Sequence, residues 1–186
     1  MGVKEAMVTT TRLMTYEDYA KMPDDERWEL INGELIVVPG ANFDHQRNQA
    51  KLGRWMLPFV DERNLGVVLF SPFDVKLSDT DVVQPDVMFI SKEREHIITG
   101  AYLEGAPDLV VEILSPSTSR RDWNEKRELY ALHGVKEYLV MDPSNKIVWR
   151  LTLKDGALEI EQTYYEGDTV TSTVLEGFSI AVDDIF

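Results

Sequence analysis

The chain has 186 residues, 44% of them hydrophobic and 28% charged, which suits one globular domain with a real core and excludes a disordered or collagen-like polymer. No apolar run reaches the roughly 20 residues needed to span a bilayer, and no cysteine is present, so neither a membrane helix, a disulfide framework nor a thiolate metal site is available. The formal net charge of −14 opposes tight, non-specific binding of a polyanion, because such binding requires Lys and Arg to replace phosphate counterions. The N-terminus lacks an apolar signal region, and together with the absent cysteines this points to a reducing cytoplasm.

Residues 1–14 read as a flexible leader before a single domain over residues 15–186. Thr15-Tyr16-Glu17-Asp18 has the form of a capping box and predicts a short helix to about Lys21. Trp28-Glu29-Leu30-Ile31 and Glu34-Leu35-Ile36-Val37-Val38 flank Asn32-Gly33, a pair that tolerates positive φ and so predicts a tight hairpin. Residues 43–63 turn helical, with Leu52, Trp55, Met56 and Phe59 near one face. Residues 65–70 read as a strand. A second hairpin is predicted from residues 73–77 and 82–90 around Ser78-Asp79-Thr80-Asp81.

Asp108-Leu109-Val110-Val111-Glu112-Ile113-Leu114 is apolar between its acids, as expected of a central strand covered on both faces. A Ser/Thr loop then leads into a helix from about Arg120 to His133, with Gly134 placed to end it. Residues 137–142 form another strand. Residues 147–153, 157–165 and 170–175 read as a β meander. The mixture of elements without strict alternation indicates an α/β or α+β fold, one mixed sheet flanked by helices.

Three positions carry charge where packing alone would not put it. Glu112 lies in the most apolar strand, where an uncompensated carboxylate is costly and must be neutralised, hydrogen-bonded or bound to a cation. Asp86 follows Pro85, which removes a ladder donor and makes that strand an edge or an irregularity. Lys126 shares a helix face with Asp122 and Tyr130 at i, i+4 spacing. Such a set suits phosphodiester hydrolysis. Mg²⁺ or Mn²⁺ prefers oxygen ligands, which Asp86, Glu112 and the Ile113 carbonyl can offer, and an ammonium can position the attacking water or stabilise developing charge. Structural roles compete at each position. Asp86 could cap a bulge, Glu112 could pair with Lys126 or Arg120, and Lys126 could form a surface pair with Asp122.

At these residues the chain resembles a large group of bacterial domains of unknown function that are restriction-endonuclease-like, within the PD-(D/E)XK nuclease superfamily. The matching stretches are Trp28 to Leu35, Asp44-His45-Gln46, Ser71 to Val75, Gln84-Pro85-Asp86-Val87, Asp108 to Thr118, Asp122 to Lys126 and Glu137 to Pro143. The resemblance implies a restriction-endonuclease-like core of mixed sheet and flanking helices, metal ligands at Asp86 and Glu112, Lys126 as catalytic lysine, and Glu29 as an accessory acid. One departure stands out: the superfamily lysine belongs two residues after the acid, but position 114 is Leu, and Lys126 on the next helix is the match. His45, Asp74, Gln84, Asp122 and Tyr130 are candidate walls of the site. The implied activity is metal-dependent DNA cleavage; separately, the exposed strand edges of a mixed sheet and the prevalence of symmetric pairs point to a homodimer. Two alternatives are a nuclease-fold binding or assembly module and a metal hydrolase of a small phosphodiester.

Overall fold

The computed structural model describes residues 12–23 and 25–186, so residues 1–11 of the expected leader lie outside the described residues. Met14, at the end of that leader, is already tied in. Its N–H donates to the Gly33 carbonyl (2.9 Å), and its side chain packs on Tyr19, Leu30 and Val82. No helix among the described residues is long and apolar enough to cross a membrane.

The first elements follow their sequence signals. Helix α1 (Tyr16–Tyr19) is shorter than expected, but the Asp18 carboxylate accepts from the Thr15 N–H (3.0 Å), the return bond of a capping box, and also from the Thr15 hydroxyl (3.1 Å). Strands β1 (Trp28–Ile31) and β2 (Glu34–Val37) pair antiparallel around Asn32 and Gly33, both at positive φ (52° and 75°). Helix α2 (Phe43–Arg63) begins on Asn42, whose side chain accepts from the His45 N–H, and ends at Asn64 in the left-handed region. Its buried stripe is Leu52, Met56 and Val60, extended towards the N-terminus by Asn48 and Gln49. Trp55, expected on this face, is 45% exposed. The contact runs along the i, i+4 row, and Trp55 sits on its rim.

Strand β3 (Gly66–Phe70) follows, then the hairpin of β4 (Val75–Ser78) and β5 (Asp81–Val83). The run 82–90 is not one strand. Gln84-Pro85-Asp86 interrupts it, and β6 (Val87–Ser91) belongs to a different sheet from β5. Proline supplies no ladder donor, so the chain changes sheets there. A 3₁₀ turn (Lys92–Ile97), β7 (Leu103–Glu104) and β8 (Leu109–Ile113) come next. The predicted helix over 120–133 is composite: α3 (Ser119–Arg121), a π-helical turn (Asp122–Lys126) and α4 (Arg127–Leu132). The chain closes with β9 (Glu137–Asp142), β10 (Ile147–Lys154), β11 (Ala157–Tyr164), β12 (Thr169–Thr171), β13 (Ser179–Ala181) and α5 (Val182–Ile185).

Instead of one mixed sheet the described residues form two larger sheets, ordered β2-β1-β5-β4-β7 and β11-β10-β9-β8-β6-β3, and a two-stranded sheet of β12 and β13. Each larger sheet is antiparallel except for one parallel pair, β4–β7 and β8–β9. The meander is real over β9, β10 and β11, but residues 170–175 do not extend it. Strand β12 pairs instead with β13. The Glu137 carboxylate accepts from the N–H groups of Thr173 and Val174 and from the Thr173 hydroxyl, which takes those donors out of any ladder. Strand β8 is interior to its sheet and wholly buried. Leu109, Val111 and Ile113 pack with α2 on one face, while Val110 packs with Leu129 and Tyr130 of α4 on the other. Strand alternation puts Glu112 on the α4 face.

Candidate active site

Strands β6 and β8 are antiparallel, with Val87 opposite Val111 and Met88 opposite Val110. Asp86 immediately precedes β6, at the end of this ladder, and its carboxylate meets β8 at Ile113, the residue after Glu112. Asp86 is held from several directions. Its Oδ2 accepts from the Ile113 N–H (2.7 Å) and bonds His45 Nε2 (2.9 Å), while its carbonyl accepts from Ser71 N–H (3.1 Å) and Gln49 Nε2 (2.7 Å). The turn made by Pro85 and the start of α2 therefore aim one carboxylate at the strand that carries the other.

Glu112 is 3% exposed and Lys126 5%. Lys126 Nζ lies 2.9 Å from Glu112 Oε1, 2.8 Å from Glu29 Oε1 and 3.9 Å from Asp122 Oδ1. Tyr130 Oη donates to the same Glu112 oxygen (2.6 Å), and Gln84 N–H donates to Glu29 Oε1 (3.0 Å). The π-helical turn supplies the geometry of this cluster. It widens the helix where Asp122 and Lys126 face inward, and side-chain donors secure carbonyls there and in the turn before it: Tyr138 Oη to Asp122 (3.1 Å) and Asn124 Nδ2 to Arg120 of α3 (2.7 Å). Single π turns of this kind recur at functional sites.

Four carboxylates and one ammonium share the pocket, and ionisation reflects it. Burial pushes Glu112 well above the usual carboxylate range. The Lys126 charge opposes that shift, and Asp86, Asp122 and Glu29 reinforce it. Burial likewise pushes Asp122 up to about 6, against the pull of Lys126. Burial alone would lower Lys126, but Glu112, Glu29 and Asp122 outweigh it and hold the ammonium well above its ordinary value.

A testable consequence follows for Asp122. Its folded pKa of about 6 lies above the ordinary 3.8, so its contribution to stability is present below pH 3.8 and is lost as pH rises through 6. Asp122→Asn cannot titrate. Its stability relative to the unsubstituted chain should therefore rise by on the order of 2–3 kcal/mol between pH 4 and pH 7.5. Urea denaturation at the two pH values measures this, and a pH-independent difference would contradict it.

The residues expected at the site largely converge. Glu29, His45, Gln84, Asp86, Glu112, Ile113, Asp122 and Lys126 all line one cavity of about 200 Å³. Two do not. Tyr130 lies fully buried beneath Glu112 as a support, not as a wall. Asp74 sits behind Gln84, accepting from Gln84 Nε2 and Tyr19 Oη (2.8 Å each). Sequence reasoning missed Gln49, which anchors the Asp86 carbonyl; its i, i+4 spacing from His45 is the signal that carries it. It also missed Arg27, Asn42 and Arg121, which line the cavity from loops or element ends where charge and polarity look like solvent-facing positions.

The donor set suits a hard cation. Glu112 Oε2 and Asp86 Oδ1 have no hydrogen-bond partner among the described residues, and neither does the buried Glu29 Oε2. Among the described residues no three His, Asp or Glu side chains form a closed metal cage. Asp86 and Glu112 instead fit the open Mg²⁺ type, in which one or two carboxylates bind and several waters are kept.

Comparison with known proteins agrees with this fold. A protein of Synechocystis sp. (strain ATCC 27184 / PCC 6803 / Kazusa), the uncharacterized protein sll1609, is 28% identical over 140 residues, 73% of this chain and 78% of that protein. The crystal structure of a putative nuclease belonging to DUF820 from Anabaena variabilis ATCC 29413 superposes with a TM-score of 0.77 at 18% identity, covering 93% of this chain and 97% of that one. Residues 15–183 match the family Uma2, described as a putative restriction endonuclease, and the chain belongs to that family.

Proposed function

We propose that this protein is a metal-dependent endonuclease that hydrolyses DNA phosphodiester bonds, with Mg²⁺ or Mn²⁺ as its cofactor. The observation that carries the reading is that Asp86, tied to the Ile113 N–H beside Glu112, and Glu112 itself, fastened to Lys126, line one cavity. The description of its family supports the same chemistry. Asp86 and Glu112 would hold the cation, with the Ile113 carbonyl as a third oxygen. A divalent cation held there supplies Lewis-acid polarisation of the phosphoryl oxygen and acidification of the attacking water.

The chain's own groups do the rest. His45 and the Ile113 N–H orient Asp86. Tyr130 and Lys126 fix one oxygen of Glu112, which leaves the other for the ligand role. Lys126 keeps its proton because its acidic neighbours stabilise the ammonium, so it acts as a donor towards charge building on phosphate rather than as a base. Glu29 and Asp122 keep that ammonium in place.

Plasmid and single-stranded DNA should be cut in Mg²⁺ or Mn²⁺ and left intact in chelator. Asp86→Ala and Glu112→Ala should each remove the activity, and cleavage that survives both substitutions would sink the proposal. A second reading, a nuclease-fold module that binds without cutting, draws on the net charge of −14 and on the closed Glu112–Lys126 pair. Calorimetric titration separates the two, since that module predicts no heat of Mg²⁺ or Mn²⁺ binding at millimolar metal.

A further inference from the structure

The carboxylate pair leaves one physical question open. A phosphodiester carries negative charge, the chain carries −14, and the cavity is already lined by Glu29, Asp86, Glu112 and Asp122. Lys126 and His45 are engaged with those carboxylates. Two further cations line the same cavity, Arg27 just before β1 and Arg121 at the end of α3. Among the described residues neither forms an ion pair, although Glu29, Asp86, Glu112 and Asp122 line the same space.

Arg27 is also held in a defined orientation. Its Nε donates to Gln84 Oε1 (2.9 Å), which leaves both terminal nitrogens uncommitted among the described residues. Gln84 cannot turn its amide round. Asp74 accepts only, and it already takes the Tyr19 hydroxyl, so it demands the amide nitrogen of Gln84 (2.8 Å) and sends the oxygen towards Arg27. The Gln84 backbone N–H is in turn fixed by Glu29 (3.0 Å). The chain Tyr19–Asp74–Gln84–Arg27 thus presents a guanidinium edge, the group best matched to two oxygens of a phosphate. No Phe, Trp or Tyr lines the cavity, and its one aromatic ring, the His45 imidazole, is tied to Asp86, so the lining has no aromatic platform free for stacking bases.

We propose that Arg27 and Arg121 are the phosphate grips of this site, and that the substrate is a nucleic-acid strand held through its backbone phosphates rather than its bases, with Gln84 and Asp74 positioning Arg27. The inference rests on reading the cavity as a phosphodiester site, but not on turnover. The two grips offset the local acidity at the point where substrate enters, while the rest of the acidic surface keeps affinity low elsewhere.

The test is fluorescence anisotropy of a labelled single-stranded oligonucleotide with the full chain in Ca²⁺, which takes the same oxygen ligands as Mg²⁺, across a salt series. Arg27→Gln and Arg121→Gln should each weaken binding by about tenfold and reduce the slope of log affinity against log salt by about 0.7. Arg27→Lys should keep the slope and lose only part of the affinity. Gln84→Leu should weaken binding alone and add nothing in the Arg27→Gln background, the signature of a positioning residue. Scrambling the oligonucleotide sequence should change affinity less than twofold. Urea midpoints of the variants control for folding. Unchanged affinity and slope in the double arginine variant would overturn the inference, as would a wild-type chain that does not bind the oligonucleotide. Binding lost in the variants of a chain that never cleaves would uphold the grips and defeat the nuclease reading. Cleavage with unchanged KM in the double variant would do the reverse.

Discussion

Lys126→Met should cost about 3–5 kcal/mol of folding stability at neutral pH and abolish the proposed cleavage. Breaking a buried ion pair from one side leaves its partners charged and unsolvated, which is far more costly than replacing the whole pair. Here the orphaned partners would be Glu29 and Glu112, both within 3 Å of the ammonium, with Asp122 at 3.9 Å. Methionine fills much the same volume, so the loss reports charge rather than a cavity. The pH dependence identifies the cause. Lys126 has a raised folded pKa, so its own contribution is fully present below about 10.5 and does not change between pH 5 and 8. Glu112 and Asp122, by contrast, have folded pKa values already raised by burial, and losing the ammonium raises them further, so folded-state stability falls as pH climbs. The deficit of the variant should therefore be larger at pH 8 than at pH 5. Urea denaturation at both values measures it, and a deficit below about 1 kcal/mol that ignores pH would mean that the ammonium holds nothing together.

Much of this cluster is legible in the sequence because burying charge is expensive. Glu112 stands alone among Leu109, Val110, Val111 and Ile113, and the only routes to tolerating it are a cation or a donor. Asp86 is marked by the proline before it. The hairpin at Asn32-Gly33 and the limits of α2 are local events, decided by residues that sit next to one another. Membership of a sheet is not local. Apolar, strand-like residues stand on both sides of Pro85, so the run reads as one strand, and only the distant partners Leu30 and Val111 show that its halves belong to different sheets. Strand β12 is set by Glu137, a carboxylate far away in the chain that captures the N–H groups of Thr173 and Val174. The π turn is hidden for a different reason. An i, i+4 spacing of Asp122 and Lys126 is compatible with an ordinary helix, and the widening depends on Tyr138 reaching across from β9. Asp74 acts through Gln84, a relation between two loops that no periodicity encodes.

Glu112→Gln should lower cleavage by about a thousandfold or more while changing stability by less than about 1 kcal/mol. The amide is isosteric, and its oxygen can still accept from Lys126 and Tyr130, as Oε1 of the carboxylate does. Burial disfavours the ionised form of Glu112, so a neutral group in its place costs the fold little, and Lys126 keeps Glu29 and Asp122 as counter-charges. The cation has no such alternative. It loses one of two charged ligands, and Lewis-acid stabilisation is worth several kcal/mol; about 4 kcal/mol corresponds to roughly a thousandfold in rate. Asp86→Asn should be at least as damaging. The Ile113 N–H requires an oxygen at that position, so the amide nitrogen must take the place of Oδ1 and present a donor where a ligand is needed. Single-turnover rates in Mn²⁺, read beside calorimetric Mn²⁺ affinity and urea midpoints, separate these effects. A Glu112→Gln variant that keeps a tenth of the wild-type rate would mean that the chemistry does not run through this carboxylate. Lost metal affinity with an intact fold would assign its charge to the cation rather than to Lys126.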